Sequence, residues 1–134
     1  MILIIGGAYQ GKKEYAYNLL NSNENKGYNK RNSLDGVTCK LEEIYTAPLI
    51  YHFHSLIQRA IMEEWDIYEV VDILIERNPD VVIISNEIGY GVVPMDAMER
   101  RYREETGRVM CKIAKLSREV HRVVCGIGTV IKHD

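Results

Sequence analysis

The first thirteen residues constrain this chain more than any other stretch. Ile2-Leu3-Ile4-Ile5 is wholly apolar and mostly β-branched, and it runs straight into Gly6-Gly7-Ala8-Tyr9-Gln10-Gly11-Lys12-Lys13. A short unbroken apolar run marks a strand buried on both faces of a parallel sheet. From Gly11 to Leu20, Tyr15, Ala16, Leu19 and Leu20 return at helical spacing, so strand, glycine loop and helix follow in order. The loop matches G-x-x-x-x-G-K. Its glycines let the backbone curl so that several N–H groups point inward at a phosphate. The helix start adds the positive end of its dipole, and Lys12 can reach the terminal phosphates. Gly6, Gly7, Ala8, Tyr9, Gln10, Gly11, Lys12 and Lys13 are therefore the candidate phosphate-binding residues.

Lys13 stands where this motif carries Ser or Thr. That hydroxyl ordinarily ligates Mg²⁺, and an ammonium cannot accept a metal. Three readings follow: other groups hold the metal, the extra ammonium partly stands in for it, or catalysis is lost.

The rest of the chain alternates strands and amphipathic helices. Asn21 to Asn32 is polar and reads as a surface loop. Leu34 to Tyr45 holds one or two short strands that the pattern does not place. Pro48 can open a helix running to Glu63, with Leu49, Phe53, Leu56, Ile57 and Ala60 on its apolar face. Asp66 can cap a second helix with Ile67, Val70, Val71 and Leu74 as its buried stripe, ended by Asn78-Pro79-Asp80. Val81 to Ser85 is the clearest second strand. Pro94 opens a long helix with Met98, Tyr102, Val109, Ile113 and Leu116 along one face. Val120 to Cys125 is a third strand, interrupted by His121 and Arg122, and Gly126 and Gly128 precede a last extended piece, Thr129 to Lys132. The order predicts an α/β layer around a mostly parallel sheet. Ligands in such sheets gather at the carboxyl ends of the strands, where the loops after Ile5, Ser85 and Cys125 converge.

With 134 residues, the chain reads as one domain, a single P-loop nucleotide-binding unit over 1–134. A formal charge of −2 argues against a general nucleic-acid binder. Cys39, Cys111 and Cys125 are an odd, widely spaced set without a CxxC pair. They suit reduced, buried thiols better than disulfides or zinc. The opening run lacks the basic flank and the length of a signal peptide, and no stretch is long and apolar enough to span a bilayer. The expectation is a cytoplasmic protein that does not engage membranes.

Ser85-Asn86-Glu87-Ile88-Gly89-Tyr90-Gly91-Val92-Val93-Pro94 resembles the T-N-E-V-G-x-G-I-V-P signature of the bifunctional adenosylcobinamide kinase/adenosylcobinamide-phosphate guanylyltransferase family. Arg100, Tyr102 and Arg103, then Gly107-Arg108-Val109, then the closing Gly126-Ile127-Gly128, are similar to that family too, and the loop Gly6 to Lys13 resembles its G-G-A-R-S-G-K-S. The resemblance covers the first twenty residues and everything after Asp80. It implies a RecA-like P-loop fold, a mostly parallel sheet flanked by helices. It implies ATP or GTP as donor, with Mg²⁺, and phosphoryl transfer to the aminopropanol hydroxyl of a corrinoid. Full members then attach GMP through a guanylyl-histidine and are homo-oligomers, trimers among them.

On this resemblance Lys12 neutralises developing charge, and Glu87 orients the nucleophile or holds the metal. Asp35 is the nearest match for a second metal carboxylate. Glu87 read on its own can equally be a loop acceptor for glycine N–H groups, and Asn86 suits polar recognition or turn chemistry. Gly89 and Gly91 permit positive φ or close backbone approach, at a lid, a subunit contact or a binding loop. Arg100, Arg101, Arg103, Arg108 and Lys112 are interleaved with Glu99, Glu104 and Glu105, as on a solvated, salt-bridged face; Arg103 or Arg108 could instead contact an anion. The segment carrying the family's guanylylated histidine has no counterpart here. His52 and His54 flank Phe53 on the expected helix and should point to different faces, as structural histidines. The expectation is therefore a kinase that has lost the guanylyltransferase half, the alternative being a non-catalytic nucleotide-binding or interaction protein of the same descent.

Overall fold

The computed structural model describes residues 1–22, 27–29, 32–87 and 96–134. Its sheet has six strands: β1 (Ile2–Gly6), β2 (Ser33–Asp35), β3 (Leu49–Tyr51), β4 (Val82–Asn86), β5 (Glu119–Val124) and β6 (Ile127–His133). They lie in the order β2-β3-β4-β1-β5-β6, with every neighbouring pair parallel except β5 and β6. This is the RecA-like P-loop arrangement, with the antiparallel β6 as an added edge. The apolar run of β1 is central because it must be covered twice. Leu3 faces one core with Ile83, while Ile2 and Ile4 face the other with Val82 and Ile84.

Helices α2 (Phe53–Met62), α3 (Ile67–Arg77) and α4 (Ala97–Leu116) supply the first core, and α1 (Lys12–Asn21) supplies the second through Ala16. In α3 the expected stripe of Ile67, Val70, Val71 and Leu74 is buried, and Asp66 caps the helix by accepting from the N–H groups of Tyr68 and Glu69. In α4 the stripe is shorter than predicted. Val109 and Ile113 are buried, whereas Met98 and Leu116 are more than half exposed at its ends.

The helix expected from Pro48 begins only at Phe53. Leu49-Ile50-Tyr51 is strand β3, wedged between β2 and β4, with Leu49 and Ile50 fully buried. Three apolar residues after a proline read equally as a first helical turn, and only the two neighbouring strands decide between them. Between Leu34 and Tyr45 there is one strand, β2, and one turn of 3₁₀-helix over Leu41–Tyr45. The last extended piece starts earlier than expected. Cys125 and Gly126, both at positive φ (51° and 77°), form a two-residue turn that folds β6 back on β5. All three cysteines are free, but only Cys39 is buried; Cys125 lies in that turn and Cys111 on the outer face of α4. Pro94 and the glycines at 89 and 91 lie outside the described residues.

Candidate functional site

The loop after β1 wraps the start of α1. Tyr9 and Gly11 take positive φ (59° and 81°), the kind of curled backbone whose successive N–H groups can converge on an anion. Tyr9 points its ring wholly into solvent, a strained backbone position of the kind that clusters at ligand sites. Gln10 ties the loop to the β5–β6 turn. Its Oε1 accepts the Cys125 N–H at 2.6 Å, and its carbonyl accepts the Gly126 N–H at 2.8 Å.

Beside the loop lies a cleft of about 500 Å³, lined by residues 8–14, by Tyr51, His52, His54 and Ser55, and by Ile84 and Asn86 from β4. Its position at the carboxyl ends of β1, β3 and β4 is where an α/β sheet gathers ligands. Lys12 is buried at its floor, and its Nζ donates to the Gly7 carbonyl at 2.6 Å. Burial lowers the Lys12 pKa, and the nearby negative charge of Glu87 opposes that shift. The ammonium thus rests on its own loop, where an arriving phosphate oxygen can replace the carbonyl. Lys13 is exposed, with Nζ 4.3 Å from the centre of the Tyr51 ring.

The structure gathers residues 8–13 around the cleft but places the two carboxylates elsewhere. Glu87 is held by Arg122 in a two-point pair, Nε to Oε1 at 2.7 Å and Nη2 to Oε2 at 3.1 Å. Asp35 turns its Oδ1 to the His52 Nδ1 and the Val37 N–H, both at 2.9 Å. Among the described residues no three His, Cys, Asp or Glu side chains come together to hold a metal. With Lys13 in place of the hydroxyl and both carboxylates engaged, these side chains do not fit a resident Mg²⁺.

A prediction follows from this donor set. Lys13→Ser or Lys13→Thr restores a hydroxyl ligand and removes a competing ammonium, so nucleotide binding should become more dependent on Mg²⁺. Titrating wild type and variant with ATP, with and without Mg²⁺, checks it. An equal Mg²⁺ effect in both would show that the metal is not handled at this position.

The two histidines are where sequence reasoning missed the site. They do not lie on two different faces of one helix, because the helix begins only at Phe53. His52 precedes α2 with φ 53°, His54 lies in its first turn, and their rings are 5.7 Å apart on the cleft wall. Burial, with the charges of His52 and Lys12 adding, pushes the His54 pKa down to about 4, so its imidazole is neutral at pH 7. Its Nδ1 accepts the Asn86 N–H at 3.1 Å. The signal available beforehand was Asp35 in Leu34-Asp35-Gly36, whose true partner stands 17 residues on. On α4, Arg103 pairs with Glu99 at 3.2 Å and Lys112 with Asp72, in keeping with a salt-bridged face.

The fold and the loop together define a P-loop α/β protein. A family model described as cobinamide kinase / cobinamide phosphate guanyltransferase matches residues 34–131, and the chain belongs to this family. It is 40% identical over 81 residues to the bifunctional adenosylcobalamin biosynthesis protein CobU of Salmonella typhimurium, a match covering 52% of this chain and 45% of that one. It is 44% identical over 52 residues to the protein of the same name in Escherichia coli, covering 39% and 29%. A third relative, the bifunctional adenosylcobalamin biosynthesis protein CobP of Pseudomonas aeruginosa, is 35% identical over 54 residues, covering 40% and 31%. The match thus spans less than half the length of each of these relatives.

Proposed function

We propose that this chain is a nucleoside-triphosphate-dependent kinase of the adenosylcobinamide type, acting in cobalamin biosynthesis, in which the guanylyltransferase half is lost. The observation that carries the reading is the cleft itself, with the loop of residues 8–13 and the buried Lys12 on one side and the ends of β3 and β4 on the other. In it the loop N–H groups cradle the β- and γ-phosphates of ATP or GTP. Lys12 leaves the Gly7 carbonyl to neutralise charge on the transferring phosphoryl group, and a corrinoid hydroxyl enters from the open side. Phosphoryl transfer depends chiefly on positioning and charge stabilisation, which a small site can supply. The charge of Glu87 opposes the lowering of the Lys12 pKa by burial; to orient the nucleophile or a metal Glu87 must first be released by Arg122.

Within this reading residues 1–134 are one nucleotide-binding domain. Copies associate through the apolar edge of β6, where Ile127, Val130 and Ile131 are at least half exposed. Among the described residues no helix is long and apolar enough to cross a membrane, and a cytoplasmic location is proposed with the kinase role. Lys13 and the Glu87–Arg122 pair favour a second reading, a relative that binds nucleotide without turnover. Titration with ATP and GTP, with and without Mg²⁺, tests the site common to both; a folded chain that takes up neither nucleotide would contradict both.

Loss of the transferase half has its own test. A guanylyl-histidine needs an imidazole lone pair in line with the α-phosphate. The His54 Nδ1 lone pair is taken by the Asn86 N–H, which leaves the proton on Nε2; His52, held at Nδ1 by Asp35, keeps its lone pair on Nε2, and in this reading that lone pair faces the acceptor hydroxyl and not the α-phosphate. Incubation with Mg²⁺ and α-labelled GTP, followed by a basic quench, should leave no label on the chain. Label that disappears in His52→Ala or His54→Ala would show that the transferase site has been relocated.

A further inference from the structure

We infer that His52 is the catalytic base of the phosphoryl transfer, taking the proton of the acceptor hydroxyl, and that Asp35 positions it. This rests on the kinase reading above.

The chain is shaped locally to hold this imidazole in one attitude. His52 has φ 53°, which a residue with a Cβ rarely adopts. The end of β2 closes on it because residue 36 is glycine: a Cβ there would lie 2.4 Å from the His52 carbonyl oxygen. Arg59 clamps the same turn, donating from Nη1 to the Gly36 carbonyl at 2.9 Å and from Nη2 to the Cys39 carbonyl at 2.8 Å. Asp35 thereby meets the His52 Nδ1 at 2.9 Å while it also accepts the Val37 N–H. A carboxylate only accepts, so Nδ1 carries the ring proton and the lone pair lies on Nε2. The Tyr51 ring at 4.9 Å and the His54 ring at 5.7 Å pack edge-on against the imidazole and fix its plane.

The lone pair is available. No described residue hydrogen-bonds Nε2, and the side chain is 44% exposed on the cleft wall facing the loop. Two other bases near the cleft are occupied, His54 by the Asn86 N–H and Glu87 by Arg122. Lys13 lies near Asp35 and rests on the Tyr51 ring.

The step balances. As the acceptor oxygen bonds to the γ-phosphorus, its O–H bond breaks and the proton passes to the His52 Nε2. The bond from the γ-phosphorus to the bridging oxygen breaks, and its electron pair leaves with the nucleoside diphosphate. The imidazolium is held beside the Asp35 carboxylate until it returns its proton to water.

The test compares wild type with His52→Asn and His52→Gly, both of which tolerate positive φ and so keep the backbone. γ-Labelled ATP or GTP with adenosylcobinamide reads transfer, and calorimetry reads nucleotide affinity. Both variants should bind nucleotide within about twofold of wild type and lose about 10²- to 10⁴-fold in kcat. Added imidazole should restore His52→Gly by at least about tenfold and leave wild type unchanged. Asp35→Asn should lower kcat with the nucleotide KM unchanged, and Asp35→Glu should recover part of the loss. Full turnover by the His52 variants, a loss that imidazole does not relieve, or stable label on His52 would overturn the proposal. A wild type that binds nucleotide but transfers nothing would instead contradict the kinase reading, and the base with it.

Discussion

Gly6→Ala should destabilise this protein more than any other single-methyl change in the loop. Gly6 ends β1 and lies in register with Asn86 of β4 and Val123 of β5. A Cβ at this position would stand 2.4 Å from the Val123 carbonyl oxygen, a backbone atom of the neighbouring strand that cannot swing aside. The parallel pair must therefore part where the loop begins. Overpacking a well-filled interior costs about 1–3 kcal/mol, and a clash with main chain belongs at or beyond the upper end. We expect a loss of about 3 kcal/mol or more, visible as a fall in Tm on the order of 10 °C. Gly7→Ala is the control. Its Cβ would meet only the Gln10 side chain, at 3.5 Å, so stability should change by no more than about 0.5 kcal/mol. Equal melting temperatures for the two variants would show that the β1–β5 contact does not set the shape of the loop.

The second large effect is expected at Lys12. Its ammonium is buried against the Gly7 carbonyl and feels the charge of Glu87, so it is held ready at the floor of the cleft. Lys12→Ala should weaken triphosphate binding at least about tenfold, roughly 1.4 kcal/mol. The loss in kcat should be larger, about 10²- to 10³-fold, because charge on the phosphoryl oxygens grows in the transition state and preorganised cations act most strongly there. Thermal melting of the variant separates this from a folding defect. Unchanged nucleotide affinity in a folded Lys12→Ala protein would mean that the loop is a glycine-rich turn and the ligand lies elsewhere.

Which parts of this were legible in the sequence follows from the range of the interactions. The strand–loop–helix of residues 2–20 could be read directly, because apolar run, glycines and helical spacing are all local signals. The same holds for α3, where Asp66 and the stripe from Ile67 to Leu74 sit within nine residues. Strand β3 was not legible. Its three residues carry no period, and Pro48 suits a helix start as well as a strand approach. The pairings that shape the cleft wall were hidden for a related reason. Asp35 meets His52 across 17 residues, His54 meets Asn86 across 32, and Glu87 meets Arg122 across 35. Each depends on the order β2-β3-β4-β1-β5, which no local pattern states. His52 is the instructive case: flanking Phe53 on an assumed helix, it read as structural, and one changed boundary moves it to the cleft.

In the proposed function, this cleft moves a γ-phosphate onto a corrinoid hydroxyl. The most direct measurement is a single-turnover reaction of the wild-type chain with γ-labelled ATP or GTP, Mg²⁺ and adenosylcobinamide, with the products separated after quenching. The account predicts label in a phosphorylated corrinoid, formed with one nucleoside diphosphate per transfer and abolished by Lys12→Ala. Label that stays on the bound nucleotide, or appears only as inorganic phosphate, would contradict it.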